Sequence, residues 1–218
     1  MIATLAVLEP LFAVVFLFAS VLAMPTFRVK SLLRLYACSS IALALLIFSF
    51  AVRDASGHLY PLALGTLFVK GLVIPALLTN AIRRSGASER LQSSLRAAPS
   101  LFVTVAALLV TALLIQHLPF AASAASAHVL YLSIAVAFAG ILMMVLRRDV
   151  FSQMVGFLFI ENGIAAFSLA TIVVIPVAIE VGIFSIVLLA VSMMALLSHK
   201  VQELYGTSDT ASLRELTD

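Results

Sequence analysis

Long apolar runs broken by short polar or proline-containing stretches dominate the chain. A helix that crosses a bilayer needs about 20 mainly apolar residues, and seven segments qualify: 2–24, 34–52, 59–82, 99–118, 127–146, 150–172 and 176–198. Between them lie Pro25 with Arg28 and Lys30, the run Arg53-Asp54-Ala55-Ser56-Gly57, the polar stretch Arg83 to Pro99, Pro119 with an Ala/Ser run to Ser126, Arg147-Arg148-Asp149, and Pro176. These are turn and helix-end signals. The pattern predicts an all-α, polytopic membrane bundle of seven transmembrane helices.

Charge placement gives this bundle a direction. Of the 13 Lys and Arg residues, Arg28, Lys30, Arg34, Arg83, Arg84, Arg90, Arg96, Arg147, Arg148, Lys200 and Arg214 fall on one side. Arg53 stands alone on the other, and Lys70 lies within a span. The positive-inside rule then predicts an outer amino terminus and a cytoplasmic carboxyl tail. The first span has no preceding positive charge and no small-x-small cleavage site, so it reads as a retained helix and not as a cleaved signal peptide.

Composition agrees with lipid as the solvent. The chain is 63% hydrophobic and 11% charged, with a mean hydropathy of +1.20, against about 25% charged residues in an ordinary soluble domain. The single cysteine, Cys38, excludes an internal disulfide. No Cys/His cluster has metal spacing, so zinc, haem or iron-sulfur centres are not expected in this chain. The net charge of +3 comes from short inter-helix loops, which gives it a topological meaning and leaves no nucleic-acid surface.

Against this background the charges inside the spans stand out, because a carboxylate or ammonium at the bilayer centre costs roughly 2.5 to 3.5 kcal/mol on insertion scales. Glu161 lies midway along the sixth span and Lys70 midway along the third. Lys70 is followed by Gly71 and Pro75, and a proline inside a spanning helix frees a carbonyl one turn earlier. Glu161 is followed by Asn162 and Gly163, with Ala165 and Ser168 on its own helix face. Small residues there admit a close neighbour and predict a carboxylate turned toward the bundle interior. Glu161 and Lys70 are therefore the proton-path candidates, with Asn162, Gly163, Pro75 and Ser168 in support. A static ion pair that fixes helix register is the competing reading.

Glu180 lies near the amino terminus of the seventh span, where the helix dipole favours a negative charge. It reads either as a proton entry or exit point or as a charge that satisfies free amides. Glu9, about 10 Å inside the first span at about 1.5 Å per residue, reads as an interfacial or local structural carboxylate with no assigned role. His58, His117, His128 and His199 fall at helix ends or loops, with no nucleophile or carboxylate cluster beside them in sequence. They are expected to be solvated, which argues against a self-contained enzyme. Gly206 is a candidate helix C-cap, and Ser212-Leu213-Arg214-Glu215 has capping-box spacing in a short tail. The loop Arg83 to Pro99 reads as a solvated positive loop or a docking surface, able to meet anionic headgroups in either case.

The order Gly156, Glu161-Asn162-Gly163, Glu180-x-Gly182-Ile183, Ala190-Val191, Met194, Gly206-Thr207, Asp209 and Leu213 resembles hydrogenase-4 component E. Tyr36-Ala37-Cys38 and Lys70 with Pro75 extend the likeness over nearly the whole chain. That family comprises membrane subunits of formate hydrogenlyase-type complexes related to respiratory complex I. Its last three helices are similar to the K subunit of complex I and the C subunit of multisubunit cation/proton antiporters.

The resemblance implies a four-helix membrane region (1–126), a three-helix K-subunit-like region (127–200) and a cytoplasmic tail (201–218). It implies a non-catalytic subunit in a prokaryotic plasma (inner) membrane. Its partners would be other membrane subunits of a complex I-like assembly and peripheral redox subunits on the cytoplasmic side, with nickel-iron and iron-sulfur centres held only by those partners. By the same resemblance Glu161 takes the place of a relay carboxylate. The family pattern has an aspartate where this chain has Ile186, leaving Glu180 as the other acid and a complete two-acid relay open. A structural anchor, or a subunit of a cation/proton antiporter or ion-driven uptake complex, remains the alternative. No inverted repeat or paired broken helix points to a stand-alone transporter.

Overall fold

The computed structural model describes residues 2–85, 97–115 and 127–171, together with Ser185, Leu189, Ser192, Met193, Leu196 and Lys200 as separate helical positions. The continuous elements are α1 (Ile2–Ala23), α2 (Val29–Arg53), α3 (Leu59–Gly65), a π-helical segment (Thr66–Val73), α4 (Ile74–Ser85), α5 (Ala97–Ile115), α6 (Ala127–Leu146) and α7 (Val150–Thr171). All are helices, as lipid requires of a chain that must satisfy its own backbone polar groups.

Among the described residues, four helices are long and apolar enough to cross a membrane: α2, the continuous Leu59–Arg83 formed by α3, the π segment and α4, then α6 and α7. A helix of 22 residues such as α7 rises about 33 Å, enough for a hydrocarbon core about 30 Å thick. Shorter apolar stretches, Leu8–Ala23 in α1 and Phe102–Leu113 in α5, accompany them. The expected seventh span, with Glu180, Ile186 and the tail after Lys200, lies outside the described residues apart from the separate positions named above. The second helix begins at Val29, earlier than the apolar run predicted: after the turn at Met24 and Pro25 the chain is non-helical through Arg28, which is extended, and α2 then starts with Lys30 and Arg34 inside it.

At the centre of the described bundle is α2, packed against α1, α3, the π segment, α4 and α7. Of its apolar window 61% is buried, against 33% for Leu59–Arg83. The largest shared surface is between α6 and α7, and glycine makes it. A Cβ on Gly163 would lie 2.7 Å from the Ser133 carbonyl and the Ala137 amide, and one on Gly140 would lie 2.6 Å from the Gly156 carbonyl. The two backbones touch where any other residue would hold them apart.

At the far end of α2, Ser56 N–H donates to the Ala51 carbonyl at 3.0 Å, and Ala55 takes a left-handed φ of 49°. This Schellman-type stop turns the chain into α3 and leaves Arg53 on the last turn of α2. Consecutive helices reverse direction, so Arg28, Lys30, Arg34, Arg83 and Arg147 gather at one end of the bundle, and Glu9, Arg53, Asp54, His58 and His128 at the other.

Candidate functional site

Lys70 sits inside the π-helical segment, where the wide turn is closed by the Ile74 N–H reaching back to the Val69 carbonyl. Pro75 follows at once, and because it has no N–H to donate, the backbone here cannot keep ordinary α pairing. Gly71 brings α2 close: a Cβ there would be 3.3 Å from Ile41 Cγ1. The segment thus lies against α2 with Lys70 turned inward and 1% exposed.

From α7, Glu161 Oε2 forms an ion pair with Lys70 Nζ; the side chains are 12% and 2% exposed. Equal depth in sequence has become contact. Next to the pair, Asn162 Nδ2 donates to Ser40 Oγ of α2 at 3.0 Å. One turn before Ser40, the fully buried Tyr36 packs edge-on against Phe159, ring centroids 5.8 Å apart. Its hydroxyl lies on the side of Ser40 and Glu161. The Tyr36 hydroxyl and Asn162 Oδ1 make no hydrogen bond, although buried polar groups ordinarily do. Three elements therefore converge on one polar pocket, with groups able to take up and release protons at its centre.

The supporting residues divide. Asn162 joins the pocket through Ser40, Pro75 ends the wide turn that carries Lys70, and Gly163 contacts α6 on another face of α7. Ser168 is half-buried further along α7. Among the described residues no group of three or more His, Cys, Asp or Glu could hold a metal ion.

Two charged sites were not evident from the sequence pattern. Glu9, given no role there, is 5% exposed and accepts from Arg53 Nη1 at 3.3–3.4 Å. His128 Nε2 lies 3.4 Å from Glu9 Oε1, with its side chain 40% exposed, so a histidine with no carboxylate beside it in sequence meets one from α1. Arg53 also binds Asp54 through its Nε at 2.9 Å and covers the Phe50 ring at 4.0 Å. Because α1, α2 and α6 each contribute one member, only helix direction and depth compared across the chain could have revealed this cluster.

At the opposite end, Arg147, expected as a loop charge, is 2% exposed. Its Nη2 donates to the carbonyls of Met24 and Thr26 at 2.5 Å each, pinning the α1–α2 turn to the α6–α7 turn. Asp149 Oδ1 accepts the Ser152 N–H at 2.7 Å and caps α7. Burial pushes the Asp149 carboxyl up from its ordinary value, against the lowering effect of the Ser152 hydrogen bonds and of Arg147. Burial also pulls the Arg147 guanidinium down, with Asp149 opposing.

The chain is 29% identical over 201 residues, 92% of its length and 91% of the relative's, to the uncharacterized protein Rv0085 of Mycobacterium tuberculosis. It is 25% identical over 183 residues, 83% of its length and 84% of the relative's, to hydrogenase-4 component E of Escherichia coli K12, and equally to that of Shigella flexneri. No protein-family model matches the chain, and no solved structure does. With four long apolar helices among the described residues, these likenesses favour a membrane-embedded protein distantly similar to hydrogenase-4 component E.

Proposed function

We propose that this protein is a non-catalytic membrane subunit of a hydrogenase-4-like, complex I-related oxidoreductase complex, and that Lys70 and Glu161 form part of its proton path. The observation that carries the reading is the Lys70–Glu161 pair itself, midway along two spans and surrounded by Tyr36, Ser40 and Asn162. The likeness to hydrogenase-4 component E supplies the kind of assembly.

The pair can work as a charge-coupled relay. With Glu161 ionised, Lys70 holds its proton on Nζ against the carboxylate. A proton delivered to Glu161 removes that attraction and leaves the Lys70 ammonium without the carboxylate's compensation in a low dielectric, which then favours release of the Nζ proton. A charge change in a neighbouring subunit would bias the same step from outside. Electrons would pass through the nickel-iron and iron-sulfur centres of partner subunits.

In this reading seven helices cross an inner membrane with the amino terminus outside. Residues 1–126 and 127–200 form the two membrane regions, and the latter is similar to the K subunit of complex I. The tail 201–218 faces cytoplasmic redox subunits, and Glu180 offers a second carboxylate toward the outer surface.

The test is Glu161→Gln and Lys70→Met in the intact complex, with proton translocation measured in vesicles beside electron transfer and assembly. Translocation should fall more than assembly. Unchanged coupling would contradict the relay. A purely structural anchor is the second reading, because the pair also ties α7 to the π segment; it predicts that each single substitution abolishes assembly and that the double substitution restores it with transport intact.

A further inference from the structure

At the basic end of the bundle, α2 and α4 flank an open cleft of about 520 Å³ lined by Lys30, Leu33, Arg34, Ala37, Pro75, Ala76, Thr79, Asn80 and Arg83. The size is that of a ligand site, and the lining supplies three cations and no carboxylate among the described residues. We infer that this cavity binds the phosphate headgroup of an anionic phospholipid.

Its walls have the profile of that molecule. Along one face of α2 the order is Lys30, Arg34, Ala37, Ile41; along one face of α4 and the preceding segment it is Arg83, Thr79 with Asn80, Ala76, Leu72. Both run from cation to apolar in the same direction, from the helix ends inward. Ile41 and Leu72 are exposed, so an acyl chain leaving the cavity meets apolar surface. The two helices close on each other at Gly71 and Ile41 and part beyond the π segment and Pro75, which opens the space at headgroup depth.

Thr79 Oγ1 already donates to the Pro75 carbonyl at 2.7 Å, and the Asn80 amide with the Arg34 and Arg83 guanidinium groups can meet phosphate oxygens, with the Lys30 charge beside them. The amino terminus of α2, with no acidic residue in its first turn, adds the positive end of its dipole at the same level. Basic pockets between helices at a membrane surface are suited to such headgroups.

The test uses the full chain purified in a neutral detergent, with phosphatidylglycerol, phosphatidylcholine and inorganic phosphate as probes and native mass spectrometry plus displacement titration as readouts. Phosphatidylglycerol should be retained over phosphatidylcholine and should resist displacement by millimolar phosphate. One basic residue near an anionic lipid is worth about five-fold in affinity, so Lys30→Gln/Arg34→Gln/Arg83→Gln should lose on the order of 100-fold, while Arg148→Gln keeps binding. If the triple variant does not fold, Arg83→Gln alone is read for the expected loss of about five-fold. Equal retention of phosphatidylcholine, or unchanged binding by the variants, would overturn the inference. Displacement by inorganic phosphate would also overturn it and assign the cavity to a soluble anion.

Discussion

Lys70 and Glu161 each break the rule that lipid excludes charge, and each is tolerable because the other is present. Removing one partner of a buried pair leaves an uncompensated charge, typically at a cost of about 3–5 kcal/mol. Glu161→Gln or Lys70→Met should therefore destabilise the purified chain by about that amount, and the double substitution should recover most of it, as measured by thermal unfolding in detergent. Additive losses would mean that the two side chains do not act on each other. The depth of both residues was legible in the sequence, because hydrophobic runs define the spans. Their contact was not, since no pattern within one helix names its neighbour. The same limit hid the cluster of Glu9, Arg53 and His128. The place of Arg147 between two spans was legible, but not that its guanidinium serves backbone carbonyls of Met24 and Thr26.

The connections between helices are as specific as the helices. Ala55 holds a φ of 49°, a conformation that costs an L-residue roughly 1–2 kcal/mol relative to glycine. Ala55→Gly should raise stability by about 1 kcal/mol, and a decrease in the unfolding midpoint would refute the strain. Where α6 meets α7, Gly163→Ala should destabilise by about 1–3 kcal/mol, because its Cβ would meet backbone atoms that cannot step aside.

The cap of α7 adds a pH dependence. Burial raises Asp149, so the folded chain holds that proton more tightly than the unfolded chain, whose Asp value is about 3.9. Its contribution to stability is fully present below that value and is lost as pH rises through the raised folded value. Asp149→Asn keeps an acceptor for the Ser152 N–H, so its unfolding midpoint should exceed the parent's at neutral pH and converge with it in acid. A constant difference across pH would contradict this assignment. The π segment was legible only through Pro75, which signals disturbed pairing without saying whether the chain will kink or widen.

At the scale of the whole molecule, apolar surface on both the inside and the outside of the bundle is what the composition announces. Phe18, Leu64, Phe68, Phe102 and Val145 are exposed, as lipid or partner subunits require and water does not favour. Among the described residues, the charges that cannot face lipid are sorted to the two ends, apart from the central Lys70–Glu161 pair. A pair held midway along two apolar helices, in a chain similar to hydrogenase-4 component E, is the basis for the proposal that the chain is one part of a larger redox-driven machine. The most direct measurement is to tag the chain in its native membrane, extract it in a mild detergent and identify its stable companions by mass spectrometry. The account predicts nickel-iron and iron-sulfur subunits together with further complex I-like membrane subunits. A chain that purifies alone, or with antiporter-type partners and no redox subunit, would contradict it.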